Sequence, residues 1–460
     1  MQIVNFFVGL WLSITMLFSG LTVFAVRTDF SEDAWFLKAP PANAAEELGV
    51  LPSARQIAHA RLEYYGFVHF GINTFTGREW GTGAEDPALF NPARLDTDQW
   101  AKAMADAGMK GAILTAKHHD GFCLWPSAYT EHSVKNSPYQ DGQGDVVKEF
   151  ADSCRKYGLK FGFYLSPWDM HEPSYGAGEA YDEFYKAQLR ELLTGYGDVT
   201  FVWLDGANGE GPNGKKQEYD RQGYFDLVRE LQPDAVLCVM GPDVAWVGNE
   251  DGLANGNVSS VRGQPGSLRW AKSECDVSIR PGWFYHENES PKSLSQLMYI
   301  YYNSVGMNCA LLLNIPPNRD GLFAQTDVDR LKEFRREIDK IYANPVVPAV
   351  KPEAQAILLD DAQSYAFSDD EYFLDFALDT RGRLRHVVLS EDADAYSERV
   401  RAFAVYATLG PWYIRVGRAQ SAGNKTIVKL GALTPRTDAY RIVIEQSKAA
   451  PVLRFVGLYK

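Results

Sequence analysis

Along most of the chain, short apolar runs alternate with longer stretches in which apolar residues recur every three or four positions. The runs are Gly66–Gly71, Gly111–Ala116, Lys160–Leu165, Val199–Leu204, Ala235–Met240 and Cys309–Ile315. A run that is apolar on both faces is the mark of a strand buried in a parallel sheet. Helical periodicity fills the intervals: Thr97 to Gly108, Asp145 to Tyr157, Tyr181 to Leu193, Tyr219 to Leu231, Ser293 to Val305 and Asp327 to Tyr342. Gly108, Gly158 and Pro233 supply stops for three of them. Strand–helix alternation on this scale predicts a (β/α)8-like barrel. Gly241 to Pro291 does not divide into two clean strand–helix units, so the barrel is expected to be irregular there.

From about Pro345 the period shortens to two. Short alternating strands are predicted at Tyr372–Phe376, Arg385–Leu389, Ala402–Tyr406, Thr426–Leu430, Tyr440–Ile444 and Val452–Leu458. Their spacing predicts a C-terminal antiparallel β-sandwich. At the other end, Ile3 to Val26 is almost wholly apolar and stops at Arg27-Thr28-Asp29. It reads as a cleaved secretory signal, with Val23-Phe24-Ala25 near the cleavage point, or as an uncleaved membrane anchor. Both readings place the rest of the chain outside the cytoplasm, and membrane contact follows only from the second. The expected organisation is a signal or anchor at 1–26, a linker at 27–50 around Ala-Pro-Pro-Ala, a barrel at 51–344 and a sandwich at 345–460. Sequons at Asn257, Asn288 and Asn424 fit export but are common by chance.

Composition narrows the partners. A net charge of −13 opposes nucleic acid or an anionic membrane surface. Eleven Trp, 24 Tyr and 25 Phe allow large cores and suit the packing of sugar C–H faces on rings. The five cysteines include no C-x-x-C, so zinc and thioredoxin-like chemistry have no support, and they read as small buried hydrophobes.

Polar residues gather where the predicted barrel strands end, the face on which barrel enzymes keep their chemistry. Val199-Thr200-Phe201-Val202-Trp203-Leu204 stops at Asp205-Gly206, and His69 closes the first strand. Lys117-His118-His119-Asp120-Gly121-Phe122 closes the second, with Trp125 beyond. Tyr164, Ser166, Trp168 and Asp169 close the third; Asn249-Glu250-Asp251 follows the fifth; Asn314 and Asn318 flank the last. Adjacent histidines on a strand face opposite ways, so His118-His119 is a poor metal pair. Glu210, Asp251 and Asp276 read as solvated loop charges. Carboxylates on barrel strands, ringed by His, Trp and Tyr and without a cofactor motif, suit glycoside hydrolysis.

These residues carry a family resemblance. Lys117 to Trp125 with Ser127, Tyr129 and Thr130 strongly resembles the α-L-fucosidases of glycoside hydrolase family 29. So do Phe67–Gly71, Gly162–Ser166, Val202–Gly206 and Leu312–Gly321. The resemblance implies a retaining exo-hydrolase of terminal α-L-fucose that needs no metal or other cofactor and acts on fucosylated oligosaccharides or glycoconjugates. Asp205 falls on the family's nucleophile. Trp246–Gly252 and Glu274–Tyr285 look like the subfamily that cleaves branched α-1,3/4-fucosides, in which the acid/base matches Glu250. Glu274 is the runner-up and Glu287 a distant third. His69, His118, His119, Tyr164 and Trp203 are expected to line the fucose pocket. Glu79 and Trp80 are expected to reach the sugar, with Arg280 and Trp283 contributing. For its first role Glu250 must begin protonated, so apolar surroundings, with Trp246 and Val247 as candidates, are expected to raise its pKa. Phe70 departs from the Trp of many relatives. The alternatives are a fucosidase of broader α-1,2/1,6 range and a fucose-binding lectin that has lost turnover.

Overall fold

In the computed structural model, which describes residues 26–27 and 43–460 apart from 255, 257, 359, 360, 369 and 370, eight parallel strands close into a barrel. They are β1 (Tyr64–Val68), β2 (Gly111–Lys117), β3 (Lys160–Leu165), β4 (Phe201–Leu204), β5 (Val236–Val239), β6 (Val244–Trp246), β7 (Lys272–Ser278) and β8 (Ala310–Asn314). Each bonds to the next, and β8 returns to β1 through pairs such as Leu312–Tyr65. The six apolar runs became β1 to β5 and β8. Their side chains are nearly all buried because both faces are covered. Inside, Tyr65, Phe67, Ile113, Tyr164, Phe201, Trp203, Val236 and Leu312 fill the barrel. Outside, six helices pack against it: Thr97–Asp106, Val146–Lys156, Glu179–Gly195, Arg221–Leu231, Leu294–Tyr302 and Gln325–Tyr342. Asp96, Asp145, Asp220 and Ser293 start four of them by accepting backbone N–H groups of the first turn.

The irregular arc falls where the sequence failed to divide. Only Met240–Asp243 separates β5 from β6, too short for a helix, and Val239 takes a left-handed φ of 65° at the turn. Between β6 and β7 a loop carries a two-stranded ribbon, Val261–Arg262 with Arg269–Trp270, in place of a helix. Strand β7 reads Lys-Ser-Glu-Cys-Asp-Val-Ser, yet all of it is buried.

The sandwich has one sheet of Phe373–Gly382, Thr437–Ser447, Val400–Leu409 and Trp412–Ala419, with Val26–Arg27 on its edge. The facing sheet joins Pro345–Val346, Val452–Tyr459, His386–Glu391 and Thr426–Lys429, with Tyr365–Ala366 beside Val452–Tyr459. Leu374, Phe376, Val387, Leu389, Phe403, Val405, Ile442 and Val456 fill the space between them. Lys425 reaches from this domain to both oxygens of Glu63 at 2.8 Å, at the base of the barrel.

The expected linker at 27–50 needs correction at its end. Ala44–Leu48 is a helix, and Glu47 within it pairs with Arg401 and Lys448 of the sandwich, each at 2.7 Å. That charge fastening makes 43–50 part of the folded body. The signal or anchor expected at 1–26 lies outside the described residues except for Val26, as do residues 28–42 and the Asn257 sequon. Among the described residues no helix is long and apolar enough to cross a membrane. All five cysteines are buried and unbridged.

One buried ion pair ties the barrel to its helical shell. Lys117 of β2 donates to Asp169 at 2.8 Å and to Gln188 at 2.9 Å, and neither charged side chain is more than 2% exposed. Removing one partner leaves the other as an uncompensated buried charge. Asp169→Ala is therefore expected to lose about 3–5 kcal/mol, read from the urea unfolding transition. Pairing Lys117→Met with Asp169→Leu removes both charges and is expected to recover most of that loss.

Candidate active site

At the C-terminal mouth of the barrel a cavity of about 120 Å³ is lined by Phe67, His69, Glu79, Trp80, His118, His119, Tyr164, Trp203, Asp205, Glu250, Asp276 and Trp283. Ten of the eleven residues expected at the site line it; Arg280 does not. Larger grooves, about 450 and 490 Å³, run along the sandwich and bring no two carboxylates together.

Asp205 stands one residue past β4, where the strand's hydrogen bonds end and the side chain reaches the rim. Its Oδ2 accepts from the Tyr164 hydroxyl at 2.9 Å, and its Oδ1 accepts from the Ala207 N–H at 2.8 Å. Both oxygens are oriented, and the side chain keeps 24% exposure. Tyr164 is itself wedged between rings, stacked on Trp203 at 5.2 Å and on His118 at 5.6 Å. Trp203 is fixed in turn by donating its indole N–H to Glu274 at 2.9 Å.

The three histidines are held as neutral rings. The Asn314 amide N–H2 donates to the Ser278 hydroxyl and to the Trp283 carbonyl, both at 2.8 Å, so its oxygen is the acceptor for His69. His69 Nδ1 then donates at 2.9 Å, which leaves Nε2 as an acceptor. Ser166 spends its hydroxyl hydrogen on the Trp168 carbonyl at 2.6 Å and so accepts from His119 Nδ1 at 2.7 Å. His119 Nε2 lies 3.8 Å from Asp205. His118 packs edge-on to Phe284 at 5.1 Å, and among the described residues its Nδ1 has no hydrogen-bond partner. Burial pushes His69 down to about 3 and His119 to about 4, and holds His118 well below the ordinary range. With Nδ1 spent, neutral His69 and His119 offer their Nε2 acceptors to hydroxyl groups.

The loops after β6 and β7 complete the wall. Glu250 is exposed, and its Oε2 accepts from the Trp283 indole N–H at 3.1 Å. The apolar enclosure expected from Trp246 and Val247 is not formed, because the Trp246 indole is turned to Asp276 at 2.6 Å. Glu79 lines the cavity but spends its oxygens on the neighbouring loop: Oε2 accepts from the N–H of Trp283 at 2.9 Å and of Phe284 at 3.4 Å, and Oε1 meets His286 at 2.7 Å. Trp80 is 62% exposed and meets Trp168 edge-on.

Three expectations change here. Arg280 is buried away from the cavity, donating to Asp327 at 2.7 Å and lying over the Tyr285 ring. Glu274 lies wholly inside the barrel below Trp203, where Tyr65 also donates to it and burial pushes its carboxyl above the usual range. It supports the site's floor without lining it. Asp276, read as a loop charge, is on β7, 3% exposed and part of the cavity wall. Its signal was present: Glu274 and Asp276 are two apart and share the inward face of a strand. Glu287, Glu210 and Asp251 are exposed.

The imidazole ring states give a direct check. In the unfolded chain a histidine takes up its proton near 6.5, whereas folded His119 does so only near 4. Between those values the unfolded state binds more protons, so these rings lower stability progressively as pH falls through that window. In ¹⁵N NMR of the folded protein, the His69, His118 and His119 rings are expected to remain neutral at pH 5 (about 1 unit above the highest of them).

A family model described as alpha-L-fucosidase matches residues 26–336. Alpha-L-fucosidase 1 of Arabidopsis thaliana is 39% identical over 446 residues, covering 89% of this chain and 87% of that one. Among solved structures, SpGH29 is 36% identical with a TM-score of 0.83, covering 90% of this chain and 98% of that one. A GH29 fucosidase of Ruminococcus gnavus, solved in complex with fucose, is 30% identical with a TM-score of 0.80, covering 92% and 96%. On the barrel, the sandwich and these matches, the chain belongs to the α-L-fucosidases of glycoside hydrolase family 29.

Proposed function

We propose that this α-L-fucosidase releases terminal α-1,3/4-linked L-fucose from a branched glycan by a retaining double displacement. The observation that carries the reading is the pairing of an oriented Asp205 with an exposed Glu250 on one cavity wall. Asp205, held by Tyr164 and Ala207, attacks the anomeric carbon. Glu250 gives its proton to the departing oxygen; Trp283 holds Oε2, which leaves Oε1 for the transfer. A covalent fucosyl ester on Asp205 results. Glu250 then takes a proton from water as that water opens the ester and frees the sugar. Retaining chemistry calls for about 5–5.5 Å between the two carboxyl groups when substrate is bound. His69, His118 and His119 exchange hydrogen bonds with fucose hydroxyls, and Trp203 and Phe67 give the sugar an apolar floor. The linkage reading is supported by the likeness of Trp246–Gly252 and Glu274–Tyr285 to the α-1,3/4 subfamily. Action outside the cytoplasm is supported by the apolar stretch Ile3–Val26.

Asp205→Gly is expected to lower turnover of an aryl α-L-fucoside by roughly three orders of magnitude or more. Near-normal turnover by that variant would remove Asp205 as nucleophile. With an activated fucoside, azide should restore activity to Glu250→Ala; rescue of Glu274→Ala and not of Glu250→Ala would reverse the assignment. For linkage, fucose release from an α-1,3/4-branched trisaccharide should exceed release from an α-1,2-linked one. The opposite order would favour the broader range.

A further inference from the structure

The cavity residues divide along the barrel ring. His69, His118, His119, Tyr164 and Asp205 lie on or just past β1 to β4, while Glu250 lies just past β6 and Asp276 on β7. A proton donor has to touch the departing oxygen, so the sugar that carries the fucose lies on the β6–β7 side. On that side, among the described residues, Asp276 is the one buried carboxyl of the wall that the proposed reaction leaves unused. Its Oδ1 accepts from the Trp246 indole N–H at 2.6 Å. Trp246 ends β6, stands four residues before Glu250, and stays 41% exposed although its N–H is fastened. One edge of the indole is thus anchored while much of the ring remains open to solvent.

We propose that Asp276 is a positioning residue for the leaving-group sugar, its carboxyl fixing the Trp246 indole as the wall against which that sugar packs beside Glu250. The inference rests on Glu250 being the acid/base. An aromatic ring held at one edge meets the apolar C–H face of a pyranose without first losing freedom of its own. Asp276 can do this without disturbing its neighbour. Burial, with the nearby Glu274 and Glu250 charges, pushes its carboxyl up to about 8, so at neutral pH it accepts the indole hydrogen as an uncharged group. It then adds no negative field beside Glu250. The bland role, a buried carboxyl that merely fills the barrel mouth, predicts equal effects on every substrate.

The test compares kcat/KM on an α-1,3/4-fucosylated trisaccharide with kcat/KM on 4-nitrophenyl α-L-fucoside, whose leaving group is no sugar. Trp246→Ala and Asp276→Leu are expected to lower the ratio of the two by about tenfold, mainly through KM for the trisaccharide. Asp276→Asn keeps an acceptor oxygen and no charge, and should hold the ratio within about threefold of the parent. Because Trp246 is exposed, its alanine variant keeps the test open should Asp276→Leu not fold. Equal losses on both substrates in Trp246→Ala and Asp276→Leu, or an unchanged ratio, would overturn the proposal. So would an Asp276→Asn ratio as low as that of the leucine variant. If azide rescues Glu250→Ala while the ratio stays fixed, this inference falls alone; if azide fails to rescue it, the acid assignment falls and takes the inference with it.

Discussion

The geometry of the site depends on a carboxylate buried beneath it. Glu274, inside the barrel, accepts from Tyr65 and from the Trp203 indole. A buried carboxyl without partners would be costly, and these two donors offset the cost while fixing a tryptophan in the centre of the barrel. Tyr164 stacks on that tryptophan and donates to Asp205. The orientation of the Asp205 carboxylate is therefore set from below, through a ring stack with little freedom to turn. Tyr65 is stacked on Phe201 at 4.9 Å, so the lower layer is as constrained as the upper one.

Above that floor, the electrostatics are sparing. The three imidazoles are neutral because burial opposes their charge, and Asp276 is neutral for the same reason applied to an acid. Lys117 and Asp169 cancel one another behind His119, and Arg280 is consumed by Asp327. A hexose without charged groups has nothing to pair with a fixed ion. A pocket of neutral polar groups suits the hydroxyls of such a sugar, and on the proposed mechanism it leaves Asp205 to meet the positive charge that develops at the anomeric carbon.

What the sequence disclosed follows from which physical signal was strong. Strands β1 to β5 and β8 were legible because both faces are covered, which leaves apolar runs that end at the chemistry. Asp205 stood out for that reason. Strand β7 was hidden because its inward side chains, Glu274 and Asp276, are polar groups satisfied by indole N–H donors from other strands. Polarity alone could not distinguish such a strand from a loop. Trp412–Ala419 was missed for a related reason, since Arg415 and Arg418 interrupt the alternation of a partly exposed strand. Arg280 was misplaced because a buried arginine near the mouth reads the same in sequence whether it faces the cavity or Asp327. Glu79 was placed at the cavity, but its use as a clamp on Trp283, Phe284 and His286 is a tertiary fact with no local signature.

The irregular arc then acquires a reason. Where β5 passes to β6 and β6 to β7 the barrel gives up two helices, and the chain released at that point carries Trp246 and Glu250. The regular arc, β1 to β4, holds Asp205 and the neutral rings on packed strands. Loops can be lengthened or recut with far less cost than helices packed on a barrel. On the proposed assignment, Glu250 on the loop arc puts recognition of the leaving group where the chain varies most easily. Asp205 stays with the packed strands. Asp276 is the residue that spans the division: it belongs to a barrel strand, and the ring it holds belongs to the rim.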